Sequence, residues 1–438
     1  MARPHAIATP ASSPAAGIQP THVRYAVLGM TVAAYMITYM DRVVVSSSAP
    51  SMQHELGLSM VTMGWIMASF RWGYSLFQIP GGWFGDKVGP RRALSLIVWW
   101  WSAFTCITAL CWNAASLVTC RFLFGMGEAG AFPIATRSLS RWMLPSERGM
   151  AQGVTHAGSR LGAALTPPLV VWLIIEYGWR TPFFVFGAVG VLWAAAWFLW
   201  YRDTPEEHRG ANQAEKDLIH ESMGGARTAR THSIPWKQLL SSECLWYVSI
   251  MYFFYGYCLA VYLDWFPTYL KDHRGFNLKQ MGFYASLPLL AGVLGDLAGG
   301  WLSDLILRKT GNIKMARRSV AMGGFFLAAG GIIPATLTHD PVACVWFSCF
   351  AVFGLELTVG VSWALPLDIA ADYAGSASAL MNMCGNIGGA ISPTMLAYLV
   401  RDYGWNVPFF AASAVCVVAG LLFLKIDASR RIFSESAL

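Results

Sequence analysis

Six ionisable residues stand out because they lie inside runs that are otherwise apolar, glycine-rich and aromatic: Asp41 beside Arg42, Arg71, Arg121 with Glu128, and Arg160. A buried arginine can grip a carboxylate or another oxyanion through two parallel hydrogen bonds. A buried carboxyl can gain or lose a proton when its charged neighbours change. Together these residue types point to an anion site with proton-exchanging acids beside it. In "RFLFGMGEAGAF" (Arg121–Phe132), Arg121 and Glu128 are seven residues apart, two helical turns on one face. Arg71, Tyr74 and Gln78 share a face at i, i+3 and i+7, and His156 and Arg160 do so at i and i+4.

The elements that must position these groups follow from composition. The 438 residues are 55% hydrophobic, 14% aromatic and only 13% charged, with a mean hydropathy of +0.46, far from the roughly 25% charge of a soluble domain. Such a chain belongs in a membrane. Twelve apolar stretches, each about 20 residues long, can cross it as helices, near 24–48, 60–84, 92–113, 115–141, 149–175, 181–201, 244–270, 280–304, 317–338, 342–366, 374–400 and 407–427. An ionisable side chain at mid-bilayer costs about 2.5–3.5 kcal/mol on insertion scales, so the six residues should face a wet, protein-lined cavity.

An even number of spans puts both ends on one side. Roughly two-thirds of the 31 Lys and Arg fall in the tails and the connections on that side, which is therefore expected to be cytoplasmic. The net charge of +7 then reports topology and gives no footprint for nucleic acid. The opening residues, rich in Ala, Pro and Ser, lack the apolar core of a cleavable signal. The nine cysteines show no CxxC and no metal-ligand spacing, so they read as small buried hydrophobes, and no metal or cofactor is expected.

The one long internal polar stretch, 202–240, divides the chain. The expected organisation is a cytoplasmic tail 1–23, a six-helix bundle 24–201, a cytoplasmic linker 202–243 with a helical patch around Ala214–Met223, a second bundle 244–427 and a cytoplasmic tail 428–438. The bundles are an internal repeat. Shifted by 226 residues, "GSRLGAALTPPLVVWLIIEYGWRTPFF" (Gly158–Phe184) falls on "CGNIGGAISPTMLAYLVRDYGWNVPFF" (Cys384–Phe410) with ten identities, including YGW and PFF. "GGWFGDKVGPRR" (Gly81–Arg92) is echoed by "GGWLSD" (Gly299–Asp304) and, further on, Arg317–Arg318. Duplicated six-helix units are a common plan of secondary transporters, with substrate held between the halves near mid-membrane. In this repeat Arg160 coincides with Asn386, a cation facing an amide, which suits an anion bearing hydroxyls.

The glycine, Asp86 and Arg91–Arg92 pattern resembles the loop signature of the major facilitator superfamily. "YMDR" (Tyr39–Arg42), "WGYSLFQIPGGW" (Trp72–Trp83), "RFLFGMGEAGAFP" (Arg121–Pro133) and "NMCGNIGGAISP" (Asn382–Pro393) are similar to its anion:cation symporters, which include bacterial carriers of galactonate, glucarate and hexuronates and relatives that carry glutamate and sialic acid. The resemblance implies an all-α integral membrane fold of twelve transmembrane helices in two pseudo-symmetric bundles, and by default a monomer. It implies proton coupling at Asp41 and Glu128, with Arg121 tuning Glu128, and anion contacts at Arg42 and Tyr74. Candidate substrate contacts added here are Arg71, Arg160, Tyr39, Ser159, Trp363, Asn382 and Asn386. Ser159–Arg160 departs from the aldonate carriers, where a glutamine near this point helps to bind sugar, and the extra cations favour a more acidic substrate such as a dicarboxylate.

Gly85 and Gly89 allow a tight turn, and Asp86, Arg91 and Arg92 can make charge pairs and cap neighbouring helix ends; the resemblance implies that these contacts form a gate that holds the cytoplasmic side shut when the site faces outward. Asp296, Glu356 and Asp368 read first as helix-packing partners and second as proton sites, and Arg137, about 160° around the helix from Arg121, as structural. The expected function is uptake of an organic anion, a sugar acid or related mono- or dicarboxylate, coupled to protons by alternating access in an inner membrane. An exchanger or exporter on the same fold is the alternative. The chain lacks GxxxxGK[ST], HExxH and GxSxG, which speaks against ATP hydrolysis and against an enzyme.

Overall fold

The computed structural model describes residues 19–144, 147–223, 236–370, 374–430 and 432. Helices cover all twelve apolar stretches, and most ends are set by local chemistry. The first helix, α1 (Val23–Leu56), stops at Gly57, whose φ of 62° suits a residue without Cβ. Next, α2 (Met60–Val88) starts at Ser59, whose hydroxyl accepts from Thr62 N. Gly89, at φ 86°, turns the chain directly into α3 (Pro90–Thr108), with proline in its favoured first position. The fourth stretch is broken: α4 (Ala114–Glu128), opened by an Asn113–Ser116 capping box, ends at Glu128, and α5 (Ala131–Trp142) follows. The first bundle closes with α6 (Arg148–Tyr177) and α7 (Thr181–Trp200).

The connection contains α8 (Gln213–Met223) and the short α9 (Trp236–Leu240). The seventh stretch runs as α10 (Glu243–Ala260), a π-helical turn over Val261–Trp265, and α11 (Phe266–Asp272). There follow α12 (Leu278–Thr310), α13 (Ile313–Leu337), and a second broken span of α14 (Pro341–Leu357) and α15 (Val359–Ile369). The chain ends in α16 (Ala374–Tyr403) and α17 (Asn406–Leu422). Eight of these spans are long and apolar enough to cross a membrane by length and composition alone. The rest are α2, α3, the broken α4–α5 pair and the 17-residue α17.

Packing repeats the sequence symmetry. In the first bundle α1 lies on α6, α2 on α4 and α3 on α7; in the second, α10 lies on α16, α12 on α14 and α13 on α17. The halves meet through α2 on α16 and α6 on α12. Small residues permit both approaches: a Cβ on Gly64 would lie 2.8 Å from Pro393 O, and one on Gly282 would lie 2.8 Å from the Val171 side chain. All four positions fall in the half of their helix furthest from the chain ends, so the bundles close on that side. Near the ends, Glu215 on α8 accepts from Thr21 Oγ1 and Arg24 Nη1, tying the connection to the start of α1.

Candidate functional site: a cluster of charges between the bundles

The site is built where helices lose regularity. Glu128 is the last residue of α4, Glu356 lies in the last turn of α14 just before its break at Thr358, and Asp264 lies within the π-helical turn. Breaks and π turns redirect side chains and free backbone groups, which a membrane interior tolerates where the chain lines a protein cavity. Two of these irregularities are related by the repeat, since Glu356 follows Glu128 by 228 residues and the fourth and tenth spans break after both.

Arg42 Nε donates to Glu128 Oε1 at 2.6 Å, and its Nη2 makes a second, close ion-pair contact with the same oxygen. Four rings surround this guanidinium, with the Tyr39 and Tyr74 centroids at 4.8 and 4.9 Å and those of Phe70 and Phe132 somewhat further. Glu128 is fully buried, and its Oε2 has no hydrogen-bond partner. Asp41 is equally buried and neither of its oxygens has a partner; Glu128 and Arg121 are its charged neighbours, Thr105 and Trp101 its polar ones. Arg121 lies with Nε and Nη1 unpartnered, its guanidinium 4.3 Å from the Phe124 centroid. The partner of Glu128 is therefore Arg42 on a neighbouring helix, with Arg121 a more distant charge.

Among the described residues, two ion pairs cross between the bundles. Arg71 donates from Nε and Nη2 to Asp264 Oδ2 at 3.2 and 2.9 Å. Arg160 Nη2 lies 2.9 Å from Glu356 Oε2 and donates to Tyr255 Oη at 3.0 Å, while its Nη1 donates to Tyr39 Oη at 3.4 Å. A cavity of about 20 Å³, room for one water, is lined by Arg42, Arg71, Arg121 and Asp264 with Phe70 and Met67.

The remaining candidates sit around these pairs. Trp363 Nε1 donates to Tyr252 Oη at 2.9 Å, and Asn386 Nδ2 donates to Asn382 O at 2.9 Å; Trp363, Asn382 and Asn386 are half-buried. The Ser159 hydroxyl is turned back onto its own helix and donates to His156 O at 2.6 Å. His156 lies in an aromatic pocket, its ring 6.0 to 6.4 Å from those of Tyr35, Phe132 and Trp363. Asp264, Tyr252 and Tyr255 were not among the residues singled out from sequence. An acid inside an apolar run is the signal that Asp264 does carry.

At the turn between α2 and α3, Asp203 is the acceptor. It takes Arg91 N on Oδ1 at 2.9 Å, lies 3.5 Å from Arg141 Nη1 and fills the space beside Gly89. Arg91 Nε donates to Phe198 O, a Cβ on Gly85 would strike Ile134, and Arg92 is exposed. The side chain of Asp86 lies outside the described residues. In the second half Arg318 Nη2 donates to Leu424 O, as Arg91 does to Phe198 O, while Arg317 donates to Asp368 Oδ2 at 2.9 Å and Ser303 Oγ at 2.8 Å.

Comparison with known proteins bears on the fold and the family. The Major Facilitator Superfamily model matches residues 31–393. The chain is 40% identical over 405 residues to a protein of Cupriavidus necator named probable sulfoacetate transporter SauU, covering 92% of this chain and 94% of that one. It is 30% identical to a D-galactonate transporter of Escherichia coli O6:H1, covering 94% and 97%, and 31% identical to a hexuronate transporter of Bacillus subtilis, covering 90% and 92%. Its fold is also that of a crystal structure of a bacterial homologue of the human lysosomal transporter Spinster, with a TM-score of 0.75, 18% identity and coverage of 93% and 97%. The chain is an all-α, multi-pass membrane protein whose relatives are named as transporters, and it belongs to the Major Facilitator Superfamily.

Proposed function

We propose that the protein takes up an organic anion together with protons across a bacterial inner membrane, its bundles 24–201 and 244–427 rocking about the charge cluster. The observation that carries this reading is the Arg42–Glu128 pair. The carboxylate of a substrate arriving at Arg42 competes with Glu128 for the same guanidinium. A buried acid that loses its cation takes up a proton in preference to standing as an isolated charge. Anion binding and protonation of Glu128 thus favour each other, and Asp41, buried beside Glu128 without a partner, is the second proton carrier. Arg121 acts on both acids from a distance. Tyr39, Tyr74, Arg71, Arg160, Ser159, Trp363, Asn382 and Asn386 supply the remaining wall.

Relatives named for sulfoacetate, D-galactonate and hexuronate support an anionic substrate with a short carbon chain. The excess of Lys and Arg on the side of the chain ends supports cytoplasmic tails and linker, so that closure on the other side corresponds to a cavity facing inward. The chain acts as a monomer, each cavity being built from one chain's own two bundles.

The test is uptake of labelled sulfoacetate, D-galactonate, D-glucarate and a hexuronate into proteoliposomes, with and without an inward proton gradient, for wild type and Glu128→Gln. One anion should accumulate above equilibrium only with the gradient, and the variant should lose accumulation while retaining exchange. Accumulation driven by internal anion and indifferent to the gradient would instead identify an exchanger.

A further inference from the structure

Glu356 has a feature that a packing partner lacks. It is fully buried at mid-span, and its counter-charge is Arg160 on the opposite bundle, whose Nη2 stands 2.9 Å from Oε2. If another anion claims Arg160, Glu356 is left as an isolated buried carboxylate, which a proton neutralises. Glu356 also occupies, in the tenth span, the place that Glu128 holds in the fourth, and each faces an arginine of another helix beside a break in its own.

Arg42 and Arg160 converge on one side chain. Their guanidinium carbons lie 4.8 and 5.4 Å from the Tyr39 ring centroid, so at most about 10 Å separates them. A short molecule with an anionic group at each end can reach both. We propose that Arg160 and Glu356 form a second charged subsite for the far anionic group of a dianion, and that Glu356 accepts an additional proton when that group takes Arg160 from it. This rests on the uptake reading above and adds to it the substrate class and a third proton carrier.

The step balances. An O–H bond forms at Glu356 Oε2 with a proton from the aqueous cavity, the substrate's second anion replaces the carboxylate against Arg160, and the charge of the subsite is unchanged. The groups facing Glu356 are Arg160 from α6, Tyr252 and Tyr255 from α10 and Asp296 from α12; Tyr39 from α1 and His156, one turn away on α6, face Arg160. Tyr255 Oη is 3.3 Å from Glu356 Oε1 and can stay bonded through the exchange. Asp296 is the rival acid. It is less buried than Glu356, and the positive charge nearest to it is also Arg160.

The experiment counts protons. Binding heats of the purified full chain are measured in buffers of different ionisation enthalpy, with sulfoacetate and D-glucarate as dianions and D-galactonate as monoanion. Wild type should take up one proton more per dianion than per monoanion, Glu356→Gln should bind the dianions without that extra proton, and Asp296→Asn should retain it. Should Glu356→Gln fail to fold, the wild-type comparison stands alone, repeated as flux reversal potentials in proteoliposomes. Equal proton counts for dianion and monoanion in wild type, or an undiminished count in a folded Glu356→Gln, overturn the inference and leave anion uptake intact. Failure of wild type to bind any of the three overturns both.

Discussion

At the residue scale, the anion site is held ready by ion pairs that a substrate must break, and the Arg71–Asp264 pair differs from the others. Both partners keep about an eighth of their side chain accessible, and two donors of one arginine reach a single oxygen. Removing one partner of a buried pair leaves an uncompensated charge, at a cost of about 3–5 kcal/mol, whereas removing both is far milder. Asp264→Asn should therefore lower thermal stability clearly, and Arg71→Gln with Asp264→Asn should recover most of the loss, as read from a double-mutant cycle of melting temperatures in detergent. If the single variant melts with wild type, the pair carries little. The residue scale is also where sequence reading was most uneven. Arg42, Arg71, Arg121, Glu128 and Arg160 are visible because charge within apolar sequence is costly, and that local fact needs no fold. Which of them pair, and with what, is not visible. Arg71 meets an acid 193 positions away, and Glu128 turns to Arg42 instead of the arginine in its own run, because such pairings are decided by helix packing.

At the scale of elements, the glycines of "RFLFGMGEAG" explain how α2 and α4 come close enough for Arg42 to reach between them. A Cβ on Gly125 would stand 2.1 Å from Phe70 O, and one on Gly73 would stand 2.2 Å from Phe122 O, so backbone meets backbone. Gly125→Leu should force the helices apart and cost about 1–3 kcal/mol through overpacking, while carrying Glu128 out of line with Arg42. The checks are a lowered melting temperature and a loss of anion uptake greater than the loss of folded protein, with Gly29→Leu, where space is open, as the unaffected control. Span positions were legible, because hydropathy acts locally. The breaks after Glu128 and Glu356 and the π turn at Asp264 were not. They leave no gap in an apolar run and arise where neighbouring helices demand a change of direction.

At the scale of the whole molecule, the repeat legible in YGW and PFF becomes a mechanical symmetry, since α2 meets α16 as α6 meets α12. Similarity between halves announces that two bundles exist; it does not say which faces touch or in which state. Closure on the side away from the chain ends depends on two small residues, Gly64 against Pro393 and Gly282 against Val171. If rocking is the transport motion, a bulky side chain at either place must obstruct this state and favour the opposite one. Gly64→Trp and Gly282→Trp should each raise the accessibility of a cysteine at Thr394 to a membrane-impermeant thiol reagent added from the side away from the tails. An obstruction worth about 1–3 kcal/mol shifts the populations by roughly 5- to 150-fold, so labelling should quicken by at least several-fold while net flux falls by a similar factor. Gly153→Trp, on α6 in open space, should change neither quantity. Because the two contacts are related by the repeat, the two variants must act in the same direction. Faster labelling in one and slower labelling in the other would mean that the bundles do not move as two rigid, symmetric bodies.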